Sequence, residues 1–332
     1  MNYKVKINGV ERSFSSINFS RKLSGIGEFS IDVVMNDVDY TLGTSDTIEV
    51  INPSGKPIFL GIITKDKRNN EDRTLEGYEI TYAYKICGYP SSSTLTYNDY
   101  MWLLIAHSWL ESNISSKFGV YQIDISNNET AYSWYIDYPI SMDIIELICK
   151  ARNLEFLLYY NTTTASWKID FRYQAGEDKS GSVKFEIGEN IESIEYVKDI
   201  TEYVTNIKCY GSNITAIAGN NGTRLKTYQF KSITNQDKLN QIANNLLTYH
   251  QTPLESITIK TPYVYDLNPG DWVWVKAPEY SIDNKYRIRE FSVAIDAKTG
   301  ESMTLQLANK EENFIDKIAN AIKTTADLAK GY

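Results

Sequence analysis

Only two histidines, three cysteines and eight prolines occur in 332 residues, and each shortage removes a class of function. Without clustered histidines a histidine-based metal centre or catalytic triad has little to draw on. His-Glu-x-x-His, Gly-x-Ser-x-Gly, Cys-x-x-Cys, a phosphate loop ending in Lys-Ser/Thr and a dinucleotide fingerprint are all missing. Cys87, Cys149 and Cys209 are odd in number and far apart, the pattern of reduced, mostly buried thiols, not of a disulfide framework. Basic residues are also in deficit, with 34 Lys+Arg against 42 Asp+Glu and a formal charge of −8. General nucleic-acid binding is thereby disfavoured, since phosphate backbones are held by basic surplus. No run approaches the ~20 apolar residues of a membrane span, and the start, Met1-Asn2-Tyr3-Lys4-Val5-Lys6, lacks the apolar core of a secretory signal. A soluble product made in the cytoplasm is expected. Sequons at Asn18, Asn113, Asn128, Asn161, Asn213 and Asn221 then read as chance in an Asn- and Thr-rich chain.

What is abundant is aromatic: 25 Tyr, 11 Phe and 6 Trp. Such residues concentrate in half-buried strands and at protein contacts. At roughly 100–200 residues per domain, the length fits two or three domains with their own cores. From Met1 to about Thr96, short runs alternate apolar and polar residues: Tyr3-Val5-Ile7 before Asn8-Gly9, then Phe29-Ile31-Val33, Ile48-Val50 and Phe59 to Ile63. Period two with Asn-Gly punctuation predicts hairpins and a first β-barrel over 1–96.

The texture then changes. A helix is predicted from Asn98 or Asp99 to about Ser112, with Leu103, Leu104, His107 and Leu110 on one face, and a second from Ser141 through Ala151. Leu154–Tyr160 and Ser166–Phe171 flank Asn161-Thr162-Thr163-Thr164 as a hairpin. Residues 97–188 thus read as a mixed α+β domain. Strand patterns resume, interrupted by helical spacing at Leu239, Ile242, Ala243, Leu246 and Leu247, and 189–310 reads as a second β-barrel. The expected fold class is mainly β: two similar barrels flanking an α+β domain, with a helix over 311–332.

One internal comparison supports duplication. Asp46 to Val50, a turn, then Phe59 to Ile63 shares its plan with Asp271 to Val275, a turn, then Tyr286 to Phe291. At the end, Ile315, Ile318, Ile322, Ala326 and Ala329 form one apolar stripe. Two readings stay open, a helix packed on its own barrel and a docking arm made with other copies.

Candidate chemistry is sparse. His107 amid leucines reads as a partly buried core residue, and His250 as a helix-terminal one. Asp37 and Asp39 lack the glycine and final glutamate of a calcium loop. Glu186, Glu189, Glu192 and Glu195 read as a solvated acidic face, although paired acids are also the tools of glycosidases. Trp272 and Trp274 share a strand face, suited to packing at a domain or subunit contact or to stacking on a sugar. No cofactor is expected.

The order of elements resembles the central hub proteins of phage tails and related contractile injection systems. The resemblance rests on Ile17 to Ile31, on the helix and hairpin from Ile144 to Phe171, on Ile191 to Gly211, and on Leu267-Asn268-Pro269-Gly270-Asp271 leading into Trp272–Val275, Tyr286–Ile288 and Met303–Leu307. It implies a virion protein, without enzymatic activity, built into a baseplate or tail tip after assembly in the host cytoplasm. The implied unit is a homotrimer whose six barrels match the sixfold tail tube on one side and a trimeric spike or tip on the other. The acidic balance would let DNA pass through its channel without adsorbing. Ile315, Ile318 and Ile322 would help seat the spike or lock the trimer, and Trp272 and Trp274 would serve a contact. Some relatives carry a long C-terminal hydrolase or receptor-binding extension, so lytic activity would be expected in another chain. Two other readings are a tail-associated cell-wall hydrolase and a carbohydrate-binding adhesin module.

Overall fold

Asn8 and Gly9 both take positive φ, 51° and 82°, the backbone of the tight turn that their sequence predicts. They join β1 (Lys4–Ile7) to β2 (Val10–Arg12). The computed structural model describes residues 2–34, 43, 46–68, 73–86, 93–97, 100, 101, 103, 104, 118–123, 132–136, 141–152, 154–220, 222–231 and 233–309. The expected C-terminal helix with Ile315, Ile318 and Ile322 lies outside them, as do Asp37, Asp39, Cys87 and His107.

After β2 come β3 (Phe14–Lys22), β4 (Glu28–Val33), β5 (Thr47–Ile51), β6 (Pro57–Arg68) and β7 (Arg73–Glu79). Alternation buries Ile17, Phe19, Phe29, Ile31, Ile48, Val50 and Phe59, and Phe59 lies 4.8 Å from Phe19 and 5.7 Å from Phe29 between ring centres. A 3-10 turn, Ile80–Tyr82, and α1 (Ala83–Ile86) lead away.

In the middle region β8 (Ser93–Tyr97) pairs with β10 (Tyr132–Ile136). β9 (Phe118–Ile123), β11 (Glu155–Asn161) and β12 (Ser166–Arg172) form a second sheet, the last two as the expected hairpin. Of the helix expected over 98–112, the described residues Tyr100, Met101, Leu103 and Leu104 are helical. The second predicted helix is α2 (Ser141–Arg152). Its Met142, Ile144, Ile145, Ile148 and Cys149 share one core with Phe156, Leu158, Ile169 and Phe171, and with Leu60, Ile62, Ile80 and Tyr84.

The remaining elements are β13 (Lys184–Glu186), β14 (Ser193–Asp199), β15 (Asn206–Tyr210), β16 (Thr215–Gly219), β17 (Leu225–Gln229), α3 (Gln236–Gln251), β18 (Leu254–Thr261), β19 (Trp272–Ala277), β20 (Ile282–Asp296) and β21 (Gly300–Ala308). The fold is mainly β. Its largest sheet has thirteen strands, in the order β14-β18-β21-β20-β3-β4-β7-β6-β5-β1-β2, with β19 paired to β20 and β13 to β19.

Two features depart from the sequence reading. First, β20 pairs antiparallel with β3, from Glu290↔Lys22 to Asp296↔Ser16, so 1–96 and 189–310 share one sheet. Second, β15, β16, β17 and α3 stand apart from that sheet. Among the described residues β15 pairs with β16 and β17 alone, and the α3 face Leu239, Ile242, Ala243 and Leu246 buries Ile207, Cys209, Ala216 and Ala218 into a separate core. Covering a three-stranded sheet with one amphipathic helix is enough to close a small hydrophobic core. Among the described residues two compact units result: those within Met1–Cys149, Leu154–Glu195 and Thr258–Leu307, and those within Lys150–Asn153 and Tyr196–Ile257 with Ala308.

The large sheet repeats itself. Taken along the chain, β1, β3, β4, β5, β6 and β7 form one set, and β13, β14, β18, β19, β20 and β21 another. Their spatial orders are β3-β4-β7-β6-β5-β1 and β14-β18-β21-β20-β19-β13, the same permutation place for place. The sets differ where β1 runs antiparallel to β5 whereas β13 runs parallel to β19, and in β2, which pairs with β1 and has no counterpart among the described strands beside β13.

Candidate functional site

The segment Leu267-Asn268-Pro269-Gly270-Asp271 is held by three buried charged side chains, its own Asp271 and, from distant strands, Arg21 and Arg287. Asp271 is fully buried. Its carboxylate accepts the backbone N–H of Glu177 and of Asn268, each at 2.8 Å, and pairs with Lys179 Nζ at 2.9 Å. Gly270 has φ +94° and Gly176 φ +87°, and a Cβ on Gly176 would sit 2.1 Å from the Gly270 carbonyl carbon. Only glycine meets both demands.

Two buried arginines hold the surroundings. Arg287 on β20 donates to both carboxylate oxygens of Glu155, at 2.9 and 2.5 Å, and to the carbonyls of Gly270 at 3.0 Å and Ala175 at 2.6 Å. Arg21 on β3 donates to Glu79 at 3.0 Å, to Asn268 Oδ1 at 3.0 Å and to the Leu158 carbonyl. Burial pushes the Glu79 carboxyl above the usual carboxylate range, and the Arg21 guanidinium works against that rise. Each arginine thus converts its charge into a clamp on segments distant in sequence. The sequence gives no sign of them beyond charges within strand patterns, because charge alone does not announce burial.

Trp272 and Trp274 do share a face of β19, both half-buried. The Lys285 ammonium stands 5.5 Å over the Trp272 ring and pairs with Asp178 at 3.0 Å, while the Trp274 indole N–H donates to Asp283 at 2.7 Å. Trp272, Lys285 and Asp178 edge a shallow depression of about 340 Å³ with Gln174 and Gly176. Hydrogen bonds from Ser180, and then Lys285, hold the Asp178 carboxyl down at about 2, so it is a fixed anion at neutral pH. One face of Trp272 is therefore already covered by a cation from its own chain.

The other candidates are dispersed. Glu186 pairs with Lys184 and Lys276, and Glu192 with Lys260, so the acidic run is divided among separate ion pairs. His250 is fully buried in α3, its ring nitrogens 2.6 Å from the Tyr228 hydroxyl and 2.9 Å from the Glu202 carbonyl oxygen. Burial pushes the Cys149 thiol up to about 12 and the Cys209 thiol up to about 11, which keeps both protonated and poorly nucleophilic. Among the described residues no group of three or more His, Cys, Asp or Glu is arranged to hold a metal ion, and no helix is long and apolar enough to cross a membrane.

Residues 178–318 match the family described as prophage endopeptidase tail. In structure, the chain is similar to a 43 kDa tail protein of prophage MuSo2 from Shewanella oneidensis, with TM-score 0.67 and 12% identity over 92% of this chain and 97% of that one. This is the fold of a phage tail protein. A tail protein from Neisseria meningitidis MC58 aligns with TM-score 0.61 and 16% identity over 96% and 99% of the two chains. The fold is also that of an Escherichia coli component of the type VI secretion system described as similar to the T4 bacteriophage tail proteins gp27 and gp5, with TM-score 0.59 and 9% identity over 93% and 77%. No curated protein matches the chain in sequence. The resemblance to tail and baseplate hub proteins read from the sequence holds, and it places the Leu267–Asp271 clamp inside the matched family segment.

Proposed function

We propose that the chain is a structural subunit of a phage tail hub, without enzymatic activity, that works as a homotrimer in the baseplate or tail tip. The observation that carries this reading is the repeated strand order of the large sheet. Two equivalent modules per copy give a trimer six, the number that a sixfold tail tube needs on one side, while threefold symmetry remains for a trimeric spike or tip on the other. In this reading the two modules belong to barrels, 1–96 and 189–310, the second with β13 (Lys184–Glu186) added ahead of it, with the rest of 97–188 between them and 311–332 as a helix. Ile315, Ile318 and Ile322 seat the spike or lock the trimer, and Trp272 and Trp274 lie at a contact. The −8 charge lets DNA traverse the channel by repulsion. The particle is assembled in the host cytoplasm, without cofactor.

Light scattering with negative-stain averages tests this. A ring of about three times the chain mass with a central opening is the expected result; a monomer at every concentration would overturn the trimer. Replacing Ile315, Ile318 and Ile322 together with Ser should release spike or trimer, since each buried isoleucine is worth roughly 1.5–3 kcal/mol.

The family description names an endopeptidase, which favours testing one other reading. The histidine within the matched segment, His250, is sealed between Tyr228 and the Glu202 carbonyl, a poor position for a base that must reach substrate. Incubation of the purified chain with peptidoglycan should leave peptide bonds intact. Release of peptides, lost on a single carboxylate substitution, would establish the hydrolase instead.

A further inference from the structure

The sheet joins its two modules through one pair of strands and leaves the reciprocal pair open. β20 is fifth in its set and β3 second in the other, and they pair over seven residues. The reciprocal strands, fifth in the first set and second in the second, are β6 and β14. β6 is built as β20 is. The first half of each pairs with the preceding strand, Pro57 to Ile62 with β5 and Ile282 to Arg287 with β19, so the second half runs on past that partner. In β20 the second half meets β3. In β6 the second half, Thr64 to Arg68, has β7 on one side, and no strand among the described residues takes the other. β14 has β18 on one side and, among the described residues, no strand on the other.

We infer that the second half of β6 in one copy pairs with β14 in the next copy, repeating between chains the β20–β3 junction made within each. The inference rests on the trimer reading and adds the surface by which copies join. Three observations support it. Open strand edges are pairing templates that proteins ordinarily cover. β14 has no fully buried residue, with Ile194 and Tyr196 half-buried, Val197 48% and nearby Ile200 50% accessible, whereas the strand in its place in the first set, β3, buries Ile17 and Phe19. Net charge is opposite in sign as well: Thr64 to Arg68 carries Lys65, Lys67 and Arg68 against Asp66, and Glu192 to Asp199 carries Glu192, Glu195 and Asp199 against Lys198, with Lys65 and Lys67 already paired to Glu76 and Glu192 to Lys260 within the chain. Because β6 and β14 are different surfaces, the contact is head-to-tail, and each copy uses one on either neighbour until a ring closes.

Photo-crosslinking of the full chain tests it, with p-benzoylphenylalanine replacing Lys67 in one variant and Val197 in another. Each variant is refolded as a mixture of ¹⁴N- and ¹⁵N-labelled chains, and light scattering on the same samples reads the oligomer. The expected result is a trimer whose mixed-label crosslinked peptides join Lys67 to residues 193–199 and Val197 to residues 64–68. A trimer crosslinked elsewhere, or only within single chains, overturns this interface and leaves the trimer standing. A monomer in both variants and in the unsubstituted chain overturns both.

Discussion

Asp46 and Asp271 hold the same place in two copies of one hairpin. Each carboxylate accepts the backbone N–H of the residue three positions earlier, Gly43 and Asn268. Each backbone carbonyl accepts from the strand opposite, Ile63 at 2.9 Å and Ile288 at 2.8 Å. The likeness between Asp46–Ile63 and Asp271–Phe291 in sequence is therefore a likeness of hydrogen bonding too.

The two aspartates differ in burial, and this sets their worth. Asp271→Ala leaves two N–H groups without acceptor and Lys179 with the Asp266 carbonyl but no carboxylate, and should cost about 2–4 kcal/mol. Asp46→Ala, at a partly exposed position, should cost roughly 1 kcal/mol. Urea midpoints of the two variants check the order.

Arg287 and Glu155 make a second contrast. Arg287→Ala strands a buried carboxylate and should destabilise by about 3–5 kcal/mol. The double variant Arg287→Met with Glu155→Leu removes both charges and should lose less than the single. A double-mutant cycle by thermal unfolding decides the point, and a double variant worse than the single would show that the Gly270 and Ala175 carbonyls, not Glu155, are what Arg287 chiefly serves.

At Gly176 a methyl group has no room. Gly176→Ala meets Gly270 backbone and a positive φ, and should cost at least about 2 kcal/mol. Gly181→Ala, with nothing within 4 Å of its would-be Cβ, should stay within about 0.5 kcal/mol of the parent. Equal melting temperatures for the two would refute the close approach.

Acid should loosen the β6–β7 hairpin. The Asp66 carboxyl is lowered to about 2, first by its hydrogen bond to Arg73 and then by Arg68. A folded value below the unfolded one gives stability that is fully present above the ordinary aspartate range and is lost as pH falls from about 4 through 2. Asp66→Asn should therefore flatten the dependence of unfolding midpoint on pH in that window.

How much was legible follows from the range of each signal. The Asn8-Gly9 turn, the β5–β6 and β19–β20 hairpins, the β11–β12 hairpin and α3 each rest on a local period or a turn residue, and all were readable. The shared face of Trp272 and Trp274 was readable for the same reason. The pairings of β3 with β20 and of β13 with β19 were not, since strands far apart in sequence choose neighbours through tertiary contacts that leave no local pattern. The same limit hid the separate core of β15–β17 and α3: the helix period shows an apolar face but does not name the sheet beneath it. Arg21 and Arg287 were missed because a strand that buries a charge looks, letter by letter, like one that exposes it.

The pairing of β3 with β20 also sets a timetable for synthesis. Phe19 leaves the ribosome early, and its partner Val293 follows only after most of the chain. At about 5–20 residues per second, the edge of β3 waits on the order of tens of seconds for its neighbour. During that interval an apolar strand from the start of one nascent chain can meet the same strand on another. Yield on overexpression should depend on translation rate and on chaperones that shield early strands, well before any question of final stability arises.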